Sequence, residues 1–397
     1  MAGVLGIYAF EELWNVSRFL FYGLVAIQNR GEEFSTISVG EETLTATGRP
    51  DNLDVTSLKG HSGIAGVFTK EEGYYFQDGI SILYDGTLDV EGLAQKIVGG
   101  EPIEEVLSTV EGAYSLLVLK DNVMYATRDP QGIKPLCIGG IGFDMAVVSS
   151  ESSALDVIGA EYSRDIKPGE VVIIDQHYIE SIENGSNPVA HCAFEYVYFS
   201  RPDSHVFGKS VHSIRKLIGE HLEGEEADVV IGVPETAIPF AMAYANRYDV
   251  PVDLGFVRTG RPTRTAIKPT QLERMIGVQL KLNPVRTAVA GKRVVLIDDS
   301  VVRGTTMRNT VSLLRRRGAK EVHVRIASPK LVAPCPYGVE VPTRDELIAV
   351  ENSEEEIARI IGADSFSYLK VETLKDLIGL PVCTGCMTGK YPTEVSP

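Results

Sequence analysis

Hydrophobic residues in the first part of the chain occur in short runs that alternate with polar positions. Runs such as Val4–Tyr8, Tyr114–Leu119 and Val171–Asp175 are separated by turns rich in Gly, Asp and Pro. Helical periodicity is limited to the segments Glu11–Ile27 and Val90–Ile97. Up to about residue 180, the pattern therefore predicts a sheet-rich α+β unit.

A different pattern follows a polar linker at residues 183–188. Strand-like and helix-like segments alternate there in the order Asp228–Val233, Ala237–Arg247, Arg293–Ile297, Thr306–Arg317 and Glu321–Ala327. This alternation predicts a parallel, doubly wound α/β sheet.

Composition limits the class of protein. The 397 residues are 44% hydrophobic and 23% charged, enough for two cores of ordinary size. A net charge of −16 disfavours binding to nucleic acid or to an anionic membrane. No apolar stretch approaches the roughly 20 residues that span a bilayer, and the amino terminus does not resemble a signal peptide. We therefore expect a cytoplasmic protein.

Two adjacent carboxylates mark the main candidate site. The buried strand pattern of Val294–Ile297 ends at Asp298 and Asp299, and Gly304–Thr306 then opens an amphipathic helix. Ligands bind at the carboxyl ends of such strands, and a helix amino terminus with nearby hydroxyls suits a phosphate. The pattern predicts a cradle for a ribose 5-phosphate; the plainer alternative is a strand-to-helix turn with a capping aspartate.

Cysteines suggest a second site. The chain contains five, namely Cys137, Cys192, Cys335, Cys383 and Cys386. Disulfides are a poor default in the cytosol, whereas the Cys-x-x-Cys spacing at 383–386 lets two thiolates reach one metal. A zinc site, a redox pair and simple packing all remain open, and the spacing by itself favours zinc over iron–sulfur.

Longer motifs carry a family resemblance. Residues 298–306 resemble the phosphoribosyl pyrophosphate (PRPP) signature of type I phosphoribosyltransferases. Tyr198–Ser204, Gly232–Thr236 and Thr388–Glu394 resemble the glutamine PRPP amidotransferase family, and the resemblance covers nearly the whole chain. It implies an N-terminal nucleophile hydrolase-like sandwich followed by a type I phosphoribosyltransferase sheet. The implied divisions are 1–185, 186–345 and a helical segment with the Cys-x-x-Cys clasp at 346–397.

The resemblance also implies roles for residues of the transferase site. The two aspartates would bind the ribose hydroxyls, the loop after them the 5′-phosphate, and Gly232–Thr236 the pyrophosphate. The implied PRPP-binding residues are Pro234, Glu235, Thr236, Asp298, Asp299, Ser300, Val301, Val302, Arg303, Gly304, Thr305 and Thr306. Mg²⁺ is expected near Thr236, Asp298 and Asp299, to offset the charge of the leaving pyrophosphate.

A basic segment at residues 258–286 resembles the lid that closes over PRPP and excludes water. The implied lid residues are Arg264, Thr265, Lys268, Gln271 and Arg274. A solvated charged loop is the alternative.

The resemblance predicts that the amino-terminal glutaminase site is inactive. Family members carry a nucleophilic cysteine where this chain has Ala2. The arginine that holds glutamine is missing from Val67–Lys70, the oxyanion asparagine corresponds to Asp85, and a family histidine corresponds to Asn29. The family's Ser-Asp-Thr-Glu segment has no counterpart between residues 87 and 111. A laboratory substitution could explain Ala2 alone, but four coordinated losses indicate natural loss. Arg128–Leu136 still matches the family scaffold.

One branch of the family carries a structural 4Fe-4S cluster. Its four ligands correspond to Cys192, Cys335, Cys383 and Cys386, so the resemblance favours a cluster over zinc. Cys137 lies outside that pattern and is expected to be an ordinary buried thiol.

Three functions follow as hypotheses. The first is an amidophosphoribosyltransferase that makes 5-phosphoribosylamine and pyrophosphate from PRPP, using ammonia rather than glutamine, in purine biosynthesis. The second is a catalytically silent partner or regulatory subunit that binds PRPP or purine nucleotides. The third is a salvage phosphoribosyltransferase with another acceptor. The resemblance further implies inhibition by purine nucleotides, a homo-tetramer, and a possible active paralogue as partner.

Overall fold

The computed structural model describes residues 1–184, 188–258 and 282–393. Most of the predicted lid, including Arg264, Thr265, Lys268, Gln271 and Arg274, and part of the predicted linker lie outside these ranges. Within the described ranges, no helix has both the length and the apolar character needed to cross a membrane.

The first part of the chain is dominated by strands. They are β1 (Ala2–Ala9), β2 (Phe34–Val39), β3 (Glu42–Thr47), β4 (Ser62–Phe68), β5 (Tyr74–Gln77), β6 (Ile80–Thr87), β7 (Ala113–Lys120), β8 (Val123–Arg128), β9 (Cys137–Ile141), β10 (Met145–Ser149), β11 (Glu161–Asp165), β12 (Glu170–Ile174) and β13 (Ile179–Glu183). The helices are α1 (Ser17–Ala26), α2 (Val90–Val98), α3 (Ile103–Ser108) and α4 (Ser152–Ile158).

These strands form two packed antiparallel sheets. Within the described residues, one sheet has the order β11-β9-β10-β1-β4-β2-β3 and the other β13-β12-β8-β7-β6-β5. Apolar side chains such as Val4, Leu117 and Val172 fill the space between the sheets. The outer faces bury Leu20 of α1 on one side and Leu93 of α2 on the other. The result is a four-layered sandwich, which confirms the sheet-rich α+β prediction.

Helix α1 begins later than predicted, at Ser17 instead of Glu11. The Asn15 side chain accepts the Ser17 N–H at 3.2 Å and donates to the Leu58 carbonyl at 3.0 Å. Because Val16 N–H also bonds the Gly60 carbonyl, at 3.0 Å, this segment is held outside the helix. Hydrophobic spacing could not reveal these contacts with a distant loop.

The second part contains shorter strands and more helices. The strands are β14 (His191–Cys192), β15 (His205–Val206), β16 (Lys209–Ser210), β17 (Val229–Gly232), β18 (Phe256–Val257), β19 (Asn283–Pro284), β20 (Arg293–Asp298), β21 (Glu321–Ile326), β22 (Ser365–Tyr368) and β23 (Val382–Cys383). The helices are α5 (Val211–Glu220), α6 (Ile238–Tyr248), α7 (Arg286–Val289), α8 (Thr305–Arg316), α9 (Ile348–Glu351), α10 (Glu354–Ile361), α11 (Val371–Ile378) and α12 (Gly385–Thr388).

A parallel sheet organises this part. Its order in the described residues is β17-β20-β21-β22, and both faces are covered by helices. Val295 packs toward Phe240 of α6, whereas Leu296 packs toward Val311 of α8. The doubly wound prediction is confirmed. The carboxyl-terminal segment predicted as helical also contributes β22 to the sheet.

A two-stranded clasp joins distant parts of the chain. Strand β14 pairs in parallel with β23, with Cys192 opposite Cys383. Cys137 lies elsewhere, buried in β9, where its thiol donates to the Ser149 carbonyl at 3.3 Å.

Candidate active site

The main candidate site is a cleft of about 840 Å³ at the carboxyl ends of β17 and β20. The two strands are neighbours in the sheet, and Val233 N–H bonds the Ile297 carbonyl at 2.9 Å. This pairing brings the two predicted loops, at residues 232–236 and 298–306, to one edge of the sheet, as expected for parallel strands.

Most of the predicted residues line this cleft. They are Pro234, Thr236, Asp298, Asp299, Ser300, Val301, Val302, Arg303, Gly304, Thr305 and Thr306. Glu235 is exposed and is not among the described residues that line the cleft.

The paired carboxylates lie at the floor of the cleft, each 9% exposed. The Asp299 N–H donates to Asp298 Oδ1 at 2.9 Å, and the Ser300 hydroxyl donates to Asp299 Oδ1 at 2.7 Å. Burial, and then the neighbouring charge of Asp299, hold the pKa of Asp298 well above its usual range. Burial likewise raises the pKa of Asp299 to about 6, against the lowering effect of the Ser300 hydrogen bond. A bound cation, or hydroxyl groups that donate hydrogen bonds, would therefore stabilise the ionised form of both aspartates.

The loop after the aspartates has the geometry of an anion site. Gly304 has φ 75°, and a Cβ there would lie 2.6 Å from Ile348 Cδ1, so the position requires glycine. Helix α8 starts at the next residue, and the N–H groups of its first turn lack carbonyl partners within the helix. Thr305 and Thr306, the first two residues of this helix, line the cleft.

Two arginines near the cleft had no individual prediction. Arg258 lines the cleft, and its Nη2 donates to the Pro234 carbonyl at 2.6 Å. Arg215 of α5 is 1% exposed, and its positive charge favours the ionised form of Asp299. Arg258 could have been found from the sequence because it begins the basic segment at residues 258–286. Arg215 could not, because a single arginine in an amphipathic helix gives no such signal.

A second cavity, of about 260 Å³, lies in the sandwich beside Ala2. The Ala2 N–H donates to Asp85 Oδ1 at 2.8 Å, and the Met1 amino group donates to Thr69 Oγ1 at 3.1 Å. Met1 and Thr69 line both this cavity and the large cleft. The two cavities therefore adjoin.

Asp85 is held by buried cations. It is 1% exposed, and its Oδ1 lies 3.3 Å from Lys134 Nζ. Its Oδ2 lies 4.0 Å from Arg30 Nη2 and has no hydrogen-bond partner among the described residues. Burial opposes ionisation of Asp85, but Lys134 and Arg30 outweigh it and lower the pKa. A carboxylate therefore occupies this cavity wall at neutral pH.

Arg30 joins the sandwich to the second part of the chain. Its fully buried guanidinium donates to Glu151 Oε1 at 3.0 Å and to Glu195 Oε1 at 2.7 Å, and Nε donates to the Ala2 carbonyl. Asn29 donates to the same Glu151 oxygen and to the Phe199 carbonyl, each at 2.9 Å. Arg30 and Asn29 therefore make structural contacts between the sandwich and the second part of the chain.

The four predicted metal-ligand cysteines line one buried cavity: Cys192, Cys335, Cys383 and Cys386. All four are free thiols. Burial raises the pKa of Cys383 to about 11 and that of Cys386 to about 12. Within the ranges that the structure describes, no group of three or more His, Cys, Asp or Glu side chains is arranged to hold a metal ion.

Known proteins resemble this chain along its whole length. Residues 208–329 match the model of the phosphoribosyl transferase domain. An amidophosphoribosyltransferase of Methanothermobacter thermautotrophicus is 39% identical, over 99% of this chain and 94% of the relative. That of Methanocaldococcus jannaschii is 38% identical, over 100% of this chain and 98% of the relative.

Solved structures agree with these relatives. The Bacillus subtilis glutamine PRPP amidotransferase, complexed with ADP and GMP, has a TM-score of 0.87 at 37% identity and covers 99% of this chain. A structure described as the allosteric regulatory enzyme of purine biosynthesis has a TM-score of 0.88 at 36% identity, again over 99% of the chain. The alignments cover 98% and 97% of those chains, respectively.

Proposed function

Because this chain belongs to the amidophosphoribosyltransferase family, we propose that it makes 5-phosphoribosylamine and pyrophosphate from PRPP with ammonia as the nitrogen donor. The observation that carries this proposal is the contrast between the two cavities. The large cleft retains the paired aspartates and the Gly304 turn, whereas the cavity beside Ala2 presents a methyl group where the family has its nucleophile.

The chemistry requires positioning more than a side-chain nucleophile. Asp298 and Asp299 bind the ribose hydroxyls, and the N–H groups that open α8 bind the 5′-phosphate. The ammonia lone pair forms a bond to ribose C1 while the bond from C1 to the pyrophosphate oxygen breaks. The nitrogen then loses a proton to solvent. Holding both reactants in line, together with charge stabilisation, supplies the rate.

The donor atoms of the cleft fit Mg²⁺. Asp298 and Asp299 offer carboxylate oxygens and Thr236 a hydroxyl, which are hard ligands. The described residues provide no complete metal cage, which suits an ion that is held partly by substrate phosphates. When bound, Mg²⁺ would offset the charge of the departing pyrophosphate.

Several features oppose a glutamine-dependent reaction. Ala2 has neither sulfur nor oxygen to form an acyl-enzyme. The Asp85 carboxylate accepts the Ala2 N–H, so it brings negative charge to the place where an oxyanion would need donors. Lys70 belongs to the segment in which the resemblance implies an arginine that holds glutamine. Its side chain is 60% exposed and lies 3.8 Å from both Glu72 and Glu340, so its charge is paired at the surface.

Pyrophosphate release from PRPP and Mg²⁺ tests the nitrogen source. With ammonia we expect turnover, whereas glutamine should support a rate at least about 1,000-fold lower, since removal of a covalent nucleophile costs at least that much. Nucleobases as acceptors provide the control for a salvage enzyme. Equal rates with glutamine and ammonia would contradict the proposal, and PRPP binding without release would favour a regulatory subunit.

Protonation of the paired aspartates should make PRPP binding depend on pH. The raised pKa of Asp299, about 6, means that this carboxylate is ionised above that pH and neutral below it. Because Mg²⁺ and hydroxyl donors need the ionised form, we expect PRPP affinity to fall about tenfold per pH unit below about 6. Isothermal titration calorimetry with Mg²⁺–PRPP between pH 5 and 8 measures this, and a constant affinity would contradict it.

We infer that the cysteine cavity holds a 4Fe-4S cluster. Four free thiols line the same small cavity, and this grouping supports the assignment. No three of them converge enough to hold one ion, and a cluster that offers a separate iron to each thiolate does not need such convergence. Protein prepared anaerobically should be brown and contain iron and labile sulfide in equal amounts. A colourless protein without either would contradict the assignment.

Purine nucleotides are proposed as inhibitors. The Bacillus subtilis relative was solved with ADP and GMP, and this chain aligns with it along 99% of its length.

For the domains, we propose boundaries near residues 185 and 345, with β22 extending the transferase sheet beyond the second boundary.

A further inference from the structure

The large cleft has a second wall, which the sandwich contributes. The residues of this sandwich wall are Met1, Asn29, Gly31, Glu32, Glu33 and Thr69. Asn29 is exposed there, and its amide group is fixed in place. Its Nδ2 donates one hydrogen bond to Glu151 Oε1 and one to the Phe199 carbonyl, each at 2.9 Å. Because Phe199 also lines the cleft, the Asn29 amide is held where the two parts of the chain meet.

These two hydrogen bonds determine the orientation of the amide. An asparagine side chain has two N–H donors on its nitrogen and an acceptor at its oxygen. The nitrogen must face Glu151 and the Phe199 carbonyl, since both of these partners are acceptors. The flipped amide would place Oδ1 against a carboxylate and a carbonyl oxygen. Both N–H groups of Asn29 are therefore used, and Oδ1 has no hydrogen-bond partner within the described part of the chain.

Asn29 and Thr69 are the neutral polar side chains of the sandwich wall, as far as the described residues show. Thr69 Oγ1 already has two partners, because it accepts from the Met1 amino group and donates to the Met1 carbonyl, each at 3.1 Å. Glu32 and Glu33 are carboxylates, and a neighbouring negative charge favours the ammonium ion over ammonia. Asn29 Oδ1 is therefore the neutral acceptor that this wall offers to a ligand.

Ammonia needs an acceptor of this kind. It attacks ribose C1 through its lone pair, and the lone pair of an ammonium ion is occupied by a proton. Inside a cleft, the N–H groups of ammonia lose their hydrogen bonds to water and need a replacement. An amide oxygen accepts an N–H without the charge that would favour protonation. The opposite wall carries the aspartates and the loop assigned to PRPP, which leaves the sandwich wall for the nitrogen donor.

We propose that Asn29 binds the ammonia that attacks PRPP. Oδ1 accepts an N–H of ammonia, while Nδ2 holds the amide in place through Glu151 and the Phe199 carbonyl. Asn29 forms no covalent bond, and its contribution is to orient the lone pair of ammonia toward ribose C1. This role rests on the ammonia-dependent reaction proposed above. A position at which the resemblance implies a histidine of the glutaminase domain thus serves the transferase.

Steady-state kinetics of pyrophosphate release, with ammonia and PRPP varied separately, tests this role. Asn29→Leu keeps the approximate size of the side chain and removes both its donors and its acceptor. We expect KM for ammonia to rise about 3- to 10-fold, the effect of losing one hydrogen bond, while KM for PRPP stays within about twofold. Asn29→Ser removes the amide oxygen but keeps a hydroxyl donor for one of the two anchors. It should raise KM for ammonia to a similar extent, and it replaces Asn29→Leu if that variant does not fold.

Asn52→Leu is the matched control. Asn52 is exposed, and its Nδ2 donates to the Thr47 carbonyl at 3.0 Å, so both KM values should stay within about twofold. An unchanged KM for ammonia in the Asn29 variants would overturn the role of Asn29 alone. An equal rise in both KM values would also overturn it, because Asn29 would then only support the cleft. A wild-type protein that releases no pyrophosphate with ammonia would overturn the proposed function as well.

Discussion

Asp299→Asn is expected to lower kcat/KM for ammonia-dependent pyrophosphate release about 100-fold, or about 2.7 kcal/mol of transition-state stabilisation. The substitution keeps the size of the side chain and removes its charge. An uncharged amide cannot accept two ribose hydroxyls as strongly as a carboxylate, and it is a poor Mg²⁺ ligand. Steady-state kinetics with varied PRPP measures the loss.

A matched substitution controls for the change from acid to amide. Asp54→Asn alters an exposed aspartate that, among the described residues, accepts hydrogen bonds from nearby Thr56 alone, and it should leave kcat/KM within about twofold, as surface substitutions usually do. If Asp299→Asn had no more effect than Asp54→Asn, the cleft at β20 would not be the reaction centre.

Arg30→Met is expected to lower the free energy of unfolding by about 3–5 kcal/mol, the usual cost of removing one partner from a buried ion pair. Methionine is of similar length, but it leaves Glu151 and Glu195 without their shared cation at 3.0 and 2.7 Å. Urea denaturation followed by circular dichroism measures the change. Arg49→Met is the control, because the Arg49–Glu32 pair is 31% and 47% exposed and should contribute only about 0–1 kcal/mol.

The cost of Arg30→Met should grow with pH. Burial already raises the pKa of Glu195 in the folded protein, and Arg30 opposes that rise. Without Arg30, the folded-state pKa rises further above the unfolded value. In the variant, protonated Glu195 therefore contributes stability that is fully present below the pKa of Glu195 in the unfolded chain. This contribution is lost as pH rises through the higher pKa of Glu195 in the folded protein. A loss of stability that was equal at acidic and neutral pH would contradict this account.

How much of the structure could be predicted from the sequence depended on how far apart in the chain the interacting residues lie. Local periodicity was enough for the strand Arg293–Asp298 and for the helix that follows it, because both depend on neighbours in the chain. Parallel strands then bring Thr236 to Asp298 by a general rule of topology. The meeting of these two loops at one cleft could be predicted because each loop follows a recognisable strand.

Contacts between distant segments could not be predicted in the same way. The pairing of Arg30 with Glu195 joins residues 165 positions apart, and nothing in the composition of either segment marks the partner. The resemblance made Asp85 a sign of lost glutaminase function, but only the structure shows that Lys134 faces it. Burial decides such cases, because a paired charge and a solvated charge look the same in a sequence.

The pairing of β14 with β23 has a consequence for biosynthesis. Cys192 lies opposite Cys383, and Cys386 follows in the next turn of chain, so two of the four thiols leave the ribosome long after the others. Any group that all four hold can be inserted only once residue 386 has emerged. Until then, the apolar side chains of Ile133 and Tyr337 lack the part of their packing that Cys383 and Tyr391 provide, and transiently exposed apolar surface of this kind favours aggregation of a nascent chain.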